Sequence, residues 1–223
     1  MSERPIHLQI KELSEVLVDI SCKVVGNLFH ALRAVKYQDE HGVPKIKLTE
    51  NEIDREEIDL EERCIEFIAL QHPVAKDLRA IVSILMINDE LERIDELSHH
   101  IIELMLEISP EMLDSLMFEK MCMRAGEMVK KSINAFVLHD RDLADQVCVH
   151  DEEIDLMHRS VLNKVTALMK NHDTNVEQLA YALSISRYIE RMADHATKIA
   201  REVNYLVTGK IIRHKNSSED LSL

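Results

Sequence analysis

The sequence predicts an all-α fold built from two three-helix bundles in tandem. Three observations lead to this fold: helix breakers are few, apolar residues recur at helical spacing, and the helical pattern starts again after Ser109-Pro110. The 223 residues include only four Gly, four Pro and no Trp, whereas β folds need frequent turn residues. A chain of this length can hold two small domains.

Six long helices are predicted, three in each half of the chain. In every one, apolar residues repeat at intervals of three or four, which is typical of one buried helix face. The predicted helices cover residues 13–35, 49–71, 73–108, 114–139, 142–170 and 174–207. The corresponding domains are residues 1–109 and residues 110–214, followed by a tail over 215–223 that is expected to be disordered.

Capping residues mark several helix ends. Capping boxes at Thr49-x-x-Glu52 and Thr174-x-x-Glu177 begin the second and sixth helices, and Thr208-Gly209 ends the sixth. Pro73 suits the first turn of the third helix. Since Gly42 and Pro44 follow the first helix, the first hairpin is expected to be less helical than its counterpart after Asp140.

The charge balance excludes several classes of function. The chain has 41 acidic and 27 basic residues and a net charge of −14, which opposes binding to nucleic acid or to anionic membrane surfaces. No apolar run is long enough for a membrane span, and the N-terminus lacks a signal peptide. The four cysteines lie far apart and are expected to be reduced thiols in the core. We therefore expect a cytoplasmic protein.

The most informative motif is a pair of acids four residues apart, which recurs at equivalent places in both halves. Residues at this spacing share one helix face, where like charges repel each other, and a bound cation would offset that repulsion. Carboxylate oxygens suit a divalent ion, and His99 or His195 could add a nitrogen ligand. The candidate metal ligands are Glu50/Asp54, Glu92/Glu96, Asp151/Asp155 and Glu190/Asp194.

Two other interpretations of these acids stay open. An acidic helix face is usually just solvated, and only the recurrence in both halves favours a metal. Glu96-x-x-His99 and Asp155-x-x-His158 resemble the di-iron bundle signature, but they lie in different halves. Because the chain has neither a phosphate-binding glycine loop nor a serine nucleophile elbow, we do not expect an enzyme.

Basic residues near these acids are candidates for partner binding. Arg93 and Arg191 follow the acid in the two halves, and salt bridges across the bundle are the simpler explanation for them. Lys76, Asp77 and Arg79 open the third helix. They could serve as capping and intrahelical pairing or as a docking surface.

Several motifs in order resemble the PhoU family of phosphate-uptake regulators over residues 8–214. The segment Ile68–Arg79 is similar to the opening of the family's third helix, and Leu91-Glu-Arg-Ile-Asp-Glu96 to its Leu-Glu-Arg-Ile-Gly-Asp signature. Tyr188–Ala196 resembles the same signature in the second half, and Val203–His214 resembles the family's C-terminus.

This resemblance implies a fold and a role. It implies two three-helix bundles and repression of the phosphate-starvation response when phosphate is plentiful. The implied partners are the ATPase subunit of the phosphate ABC transporter and the sensor histidine kinase PhoR, with a homodimer as the expected assembly. It also implies iron or another divalent metal (Mn, Mg or Zn) on the four acid pairs. Alternatives are an accessory protein of another phosphate carrier and a carboxylate-bridged metal enzyme.

The chain departs from the family signature in its first half. Asp95 stands where Gly is usual, Glu96 where Asp is usual, and Glu50 where Asp is common. The second half keeps Asp194 and has Ala193 in the glycine position. These departures weaken the expectation of a metal in the first half more than in the second.

Overall fold

The computed structural model describes residues 5–37, 42–170 and 175–210, with the backbone alone for residues 42–48. Every regular element in these residues is a helix, which confirms the predicted all-α class. None of the helices in this part of the chain is long and apolar enough to span a membrane. The helices are α1 (Pro5–Tyr37), α2 (Gly42–Gln71), α3 (Lys76–Leu106), α4 (Pro110–Leu116), α5 (Phe118–Leu138), α6 (Arg141–Leu168) and α7 (Val176–Thr208).

The six long helices form the two predicted three-helix bundles. α1, α2 and α3 pack together, and so do α5, α6 and α7. Each helix buries one apolar stripe, such as Leu17, Ile20 and Val24 on α1. α3 also lies along α7, and α1 contacts α5, so the two bundles share one continuous hydrophobic core.

The predicted helix over 114–139 is interrupted at Met117. Met117 has a left-handed backbone (φ 57°), and it separates the seven-residue α4 from α5. Its neighbours Leu116 and Phe118 are both buried. Residues two apart on a continuous helix point in very different directions, so the break lets both side chains enter the core. Ser109 caps α4 with its side-chain oxygen.

The first hairpin and the start of α3 also differ from the prediction. α2 begins at Gly42, so Thr49 lies inside the helix rather than at its start, and residues 42–48 are helical. This is compatible with Pro44 because the first turn of a helix needs no backbone N–H donors. Pro73 precedes α3, which starts at Lys76 after Ala75 in an unusual conformation (φ 45°). Residues 38–41 lie outside the described part.

The ends of α6 and α7 are set by capping residues. Asp140 Oδ1 accepts a hydrogen bond from Leu143 N at the start of α6 (3.0 Å). Asn175 caps α7, and the predicted cap Thr174 lies outside the described residues. Gly209 ends α7 with φ 69°, which confirms the predicted C-cap. The predicted tail over 215–223 also lies outside the described residues, and the domain boundary at residue 109 stays a prediction.

The cysteines only partly match the expectation of a core role. Cys64 and Cys122 are buried, but Cys148 is half-buried and Cys22 is exposed. Burial raises the pKa of Cys64 to about 12, so this thiol stays protonated and behaves as a small apolar side chain.

Gly26 offers a test of the helical core. It lies inside α1, and a Cβ added there would meet no atom within 4 Å. Gly26→Ala should therefore raise the free energy of unfolding by roughly 0.5–1 kcal/mol, because Ala loses less backbone entropy in a helix. Urea unfolding followed by circular dichroism would measure the change.

Gly209→Ala is the matched control. Its positive φ disfavours any Cβ, so this variant should lose about 1 kcal/mol or more. If Gly26→Ala unfolded at lower urea than the wild type, α1 would not be packed as described.

Candidate functional site

Carboxylates from two helices face each other in the first bundle. Asn88 Nδ2 on α3 donates a hydrogen bond to the backbone oxygen of Glu57 on α2 (3.2 Å), which places the two helices side by side at this level. We call the acids around this point the first acidic cluster. It consists of Glu50, Asp54 and Glu57 on α2, and Glu92, Asp95 and Glu96 on α3.

Two members of the first acidic cluster are deeply buried. Asp95 is 3% exposed and Glu57 is 5% exposed. Burial raises the pKa of Glu57 to about 8, and the nearby carboxylates of Asp95 and Glu92 act in the same direction. Burial likewise raises the pKa of Asp95 to about 7, with Glu50 as its strongest acidic neighbour. Both groups therefore hold protons at a pH where exposed carboxyls are ionised.

The two predicted pairs form the outer part of this cluster. Asp54, Glu92 and Glu96 are exposed, and Glu50 is half-buried. Burial raises the pKa of Glu92, and Glu96 adds to the effect. The structure thus brings both pairs together around the buried Glu57 and Asp95.

His99 closes one side of the first acidic cluster. Its Nδ1 lies 3.2 Å from Glu50 Oε1 and 3.7 Å from Asp95 Oδ2. Its Nε2 lies 3.5 Å from Asn27 Nδ2. Burial lowers the pKa of His99 against the opposing effect of Glu50 and Asp54. A neutral imidazole in this position could bind a metal.

The second acidic cluster lies between α6 and α7. It consists of Asp151, Asp155, Glu190 and Asp194. Burial raises the pKa of Asp151 to about 6, and Asp194 is the strongest of the acidic neighbours that act with it. Burial also raises the pKa of Glu190. The predicted pairs of the second half are therefore also brought together.

Basic side chains partly neutralise the second cluster. Arg187 Nη1 donates to Glu190 Oε1 at 2.6 Å, and Arg159 Nη2 lies 3.7 Å from Asp155 Oδ2. His158 lies close enough to lower the pKa of Glu190, and its Nδ1 is 3.0 Å from Ser186 Oγ. This cluster is thus smaller and better paired than the first.

The chemistry of both clusters fits a divalent cation. Carboxylate oxygens are ligands for magnesium, manganese and iron, and imidazole suits iron and zinc. Three buried oxygens, Glu57 Oε1, Asp95 Oδ1 and Glu190 Oε2, lack a hydrogen-bond partner. Among the described residues, no group of three or more His, Cys, Asp or Glu side chains is already arranged to hold a metal ion. Binding would therefore require carboxylates to change rotamer.

The predicted partner-binding residues do not form one site. Lys76 is exposed, while Asp77 Oδ1 lies 3.6 Å from His7 Nε2. The guanidinium of Arg79 lies against Gly209 at the end of α7.

The other two predicted partner-binding residues, Arg93 and Arg191, do not lie at the start of α3. Arg93 pairs with Asp89 one turn away on α3 (3.2 Å), so the expected salt bridge across the bundle is not formed by this residue. Arg191 is exposed on α7.

Polar contacts that the sequence does not predict join the two bundles. Glu90 on α3 accepts a hydrogen bond from His195 Nδ1 on α7 (2.5 Å), and Lys198 Nζ lies 3.5 Å from the same carboxylate. Burial raises the pKa of the nearby Glu202. His195, a predicted candidate for a nitrogen ligand, donates from Nδ1 to Glu90, which is not one of the predicted metal ligands.

Glu57 is not among the residues predicted from the sequence, although its position relative to Glu50 and Asp54 indicates it. Glu50, Asp54 and Glu57 follow one stripe on α2, and Glu92, Asp95 and His99 follow one on α3. The polar residues are spaced by four and then three on α2, and by three and then four on α3, which is the spacing of one helix face.

Comparison with known proteins identifies relatives along nearly the whole chain. A family model described as the PhoU domain matches residues 17–105 and again 118–203. A curated protein of Clostridium acetobutylicum, described as a phosphate-specific transport system accessory protein PhoU homolog, is 27% identical over 94% of this chain and 97% of its own length. The PhoU homolog 1 of Thermotoga maritima is 30% identical over 93% of this chain and 89% of its own.

Two solved structures share the fold. The crystal structure of PhoU from Pseudomonas aeruginosa has a TM-score of 0.84 at 24% identity and covers 92% of this chain and 99% of its own. The phosphate transport system regulatory protein PhoU from Streptococcus pneumoniae has a TM-score of 0.85 at 25% identity and covers 93% and 99%. The duplicated helical architecture described above is therefore shared with both.

The raised pKa values predict how stability depends on pH. In the unfolded chain Glu57 and Asp95 would ionise near pH 4, whereas in the folded protein they ionise at about 8 and about 7. Between these limits the folded state binds more protons, so the free energy of unfolding falls as pH rises. For protein kept metal-free with chelator, urea unfolding should show lower stability at pH 8 than at pH 5.

The double variant Glu57→Gln/Asp95→Asn should flatten this pH dependence. Asp59→Asn, which changes an exposed acid of α2 that pairs with Arg63, is the control and should keep the wild-type slope. An unchanged slope in the double variant would show that these two carboxyls do not carry the effect.

Proposed function

The chain belongs to the PhoU family, and from this premise we propose that it is an accessory protein of a phosphate transport system. In this role it represses phosphate uptake and the phosphate-starvation response when phosphate is plentiful. The observation that carries the proposal is the match of both halves to the same domain, in relatives described as accessory proteins of phosphate transport. These relatives align with nearly the full length of the chain, so both repeats take part.

The protein acts in the cytoplasm as an adaptor rather than as an enzyme. Its partners are the ATPase subunit of the phosphate ABC transporter and the sensor histidine kinase PhoR. It works as a homodimer. The net charge of −14 supports protein partners over nucleic acid. Regulation by binding needs no nucleophile or proton-transfer group, and the sequence motifs supply neither.

The start of α3 is the best-supported partner surface. Lys76 is exposed there, and three apolar side chains near it in the sequence, Leu70, Val74 and Leu78, are exposed as well. An apolar patch next to a charged group is typical of a protein interface. The remaining candidates would bind a partner only with the atoms that do not already contact other residues of the chain. These candidates are Asp77, Arg79, Arg93 and Arg191.

The acidic clusters give the adaptor a way to bind metal. Iron, manganese, magnesium or zinc on the acid pairs would neutralise the repulsion between their carboxylates. Held there, the metal is structural or modulatory and joins the two helices of each cluster. The supporting observations are the convergence of the pairs within each bundle and the buried oxygens that lack partners.

A phosphate-starvation reporter in the native host tests the regulatory role. In high phosphate, deletion of the gene should switch the reporter on, and the wild-type gene should switch it off again. Restoration with Lys76→Glu should leave the reporter on. A charge reversal in an interface weakens binding by roughly tenfold or more, and copurification of the transporter ATPase and the kinase would show the loss directly.

Lys120→Glu is the matched control for this experiment. Lys76 and Lys120 are both exposed and both lie in the first turn of a helix, where a glutamate does not disturb folding. If the reporter stayed silent after deletion, the regulatory proposal would fail, and a role with another phosphate carrier would take its place. If Lys76→Glu repressed like the wild type, the start of α3 would not be the partner surface.

A further inference from the structure

α6 presents an exposed stripe of alternating apolar and charged side chains. The helix packs against α5 and α7 with its other faces. On the outer face Val149 is 68% exposed and Leu156 is 61% exposed, and Glu152 and Arg159 are exposed beside them. Intervals of three, four and three residues place all four on one side of the helix. We call these four residues the α6 stripe.

We propose that the α6 stripe is the surface through which two copies of the chain associate. In this dimer the two α6 helices are antiparallel, and the two-fold axis passes at the level of Leu156. The inference rests on the homodimer of the proposed function and assigns its interface. A two-fold contact uses the same surface on both copies, so that surface must be complementary to itself.

The order of charges along the stripe meets this requirement. When antiparallel helices are centred on Leu156, Arg159 of one copy lies opposite residue 153 of the other, one residue from Glu152. One residue is ~1.5 Å of helix rise, so the guanidinium can reach both Glu152 and Glu153 of the second copy. Two-fold symmetry forms this pairing twice. The Arg159 side chain is 67% exposed, and its Nη2 lies 3.7 Å from Asp155 Oδ2, so the guanidinium is accessible to a second copy.

The apolar side chains of the stripe are arranged symmetrically as well. Leu156 meets its own copy at the axis, and Val149 lies at the level of Asn163 of the second copy. Leu162, which is 45% exposed, flanks that level. Burying these side chains removes apolar surface from water, which favours association.

The charges of α2 oppose the same arrangement on the other outer helix. Ile58 and Ile65 on α2 are 58% and 55% exposed, so an apolar stripe exists there too. In residues 49–71, however, six exposed acids accompany Arg55, the one exposed base in that range. Two such faces would repel each other. The six acids are Glu52, Asp54, Asp59, Glu61, Glu62 and Glu66.

The outer face of α6 is close to electrically balanced. Each copy carries a net charge of −14, so two copies can approach only where the local charges do not add to that repulsion. The exposed charged side chains of α6 are two acids and three bases. They are Asp142, Glu152, Arg141, Arg159 and Lys164.

The length of the stripe sets the expected affinity. Residues 149–163 cover ~21 Å of helix at ~1.5 Å per residue. A single crossing of two helices over this length is smaller than the roughly 800 Å² per partner of a stable complex. The dimer should therefore dissociate with a constant on the order of 10 μM.

Sedimentation velocity of the full chain tests the interface at protein concentrations of about 1–200 μM, which bracket this affinity. Leu156→Glu places two like charges opposite each other at the axis and should weaken the dimer by about tenfold or more. Ile58→Glu is the matched control, since Ile58 is an apolar residue of nearly equal exposure on the other outer helix. It should leave the dissociation constant unchanged.

A charge swap tests the antiparallel register. Glu152→Arg and Arg159→Glu should each weaken the dimer, because each places like charges opposite each other across the axis. The double variant Glu152→Arg/Arg159→Glu recreates the pair with reversed signs and should restore most of the affinity. A change that only disturbed α6 would not be rescued in this way, and circular dichroism would verify that each variant is folded.

The outcomes separate this inference from the proposed function. An unchanged dimer in Leu156→Glu would overturn the α6 interface, as would failure of the double swap to restore affinity; the homodimer itself would stand. Species larger than a dimer that are lost in both Leu156→Glu and Ile58→Glu would show α6 docking on α2 and would also overturn it. If the wild type stayed monomeric throughout, the inference would fall together with the homodimer, but repression of the reporter would be unaffected.

Discussion

The packing of α3 against α7 is the contact on which the rest of the structure depends. These are the third helices of the two repeats, and their apolar faces are buried both within their own bundle and against each other. Small residues on α7, including Ala193, Ala196 and Ala200, are fully buried and allow close approach. α1 also contacts α5, so the two bundles share one hydrophobic core. Separating the bundles would expose part of this core to water, which is unfavourable.

Burying carboxylates on these helices opposes that packing. A charge transferred from water to the interior costs several kcal/mol unless it is paired, and the protein meets this cost in different ways. Glu90 is paired with His195 and Lys198 between the bundles, and Glu190 is paired with Arg187. Asp95 Oδ2 lies 3.7 Å from His99 Nδ1, and both Asp95 and Glu57 meet the cost of burial by holding a proton up to a raised pKa. Burial is the main cause of both raised pKa values.

Periodicity in the sequence predicted the six long helices because each helix buries one stripe of regular spacing. It failed at Met117, since nothing in the residue type signals a left-handed break and the packing of Leu116 and Phe118 decides it. The repeated spacing of acids singled out the four pairs, and the structure shows that the two pairs of each half lie together. It missed Glu57 because this acid is not repeated, and the burial of a side chain depends on which helix packs over it. The pairing of Glu90 with His195 could not be predicted from spacing either, because the two residues are far apart in the chain.

α3 carries acids on two sides, and this links the cluster to the contact between the bundles. Glu90 faces α7, whereas Glu92 and Asp95, within five residues of it, face α2. A helix moves largely as a rigid body, so a rotation of α3 that changes how Asp95 packs against α2 also shifts Glu90 relative to His195. The packed core restricts such a rotation to small angles. Neutralisation of the first acidic cluster and the fit between the two bundles are therefore not independent, because the same helix backbone sets both.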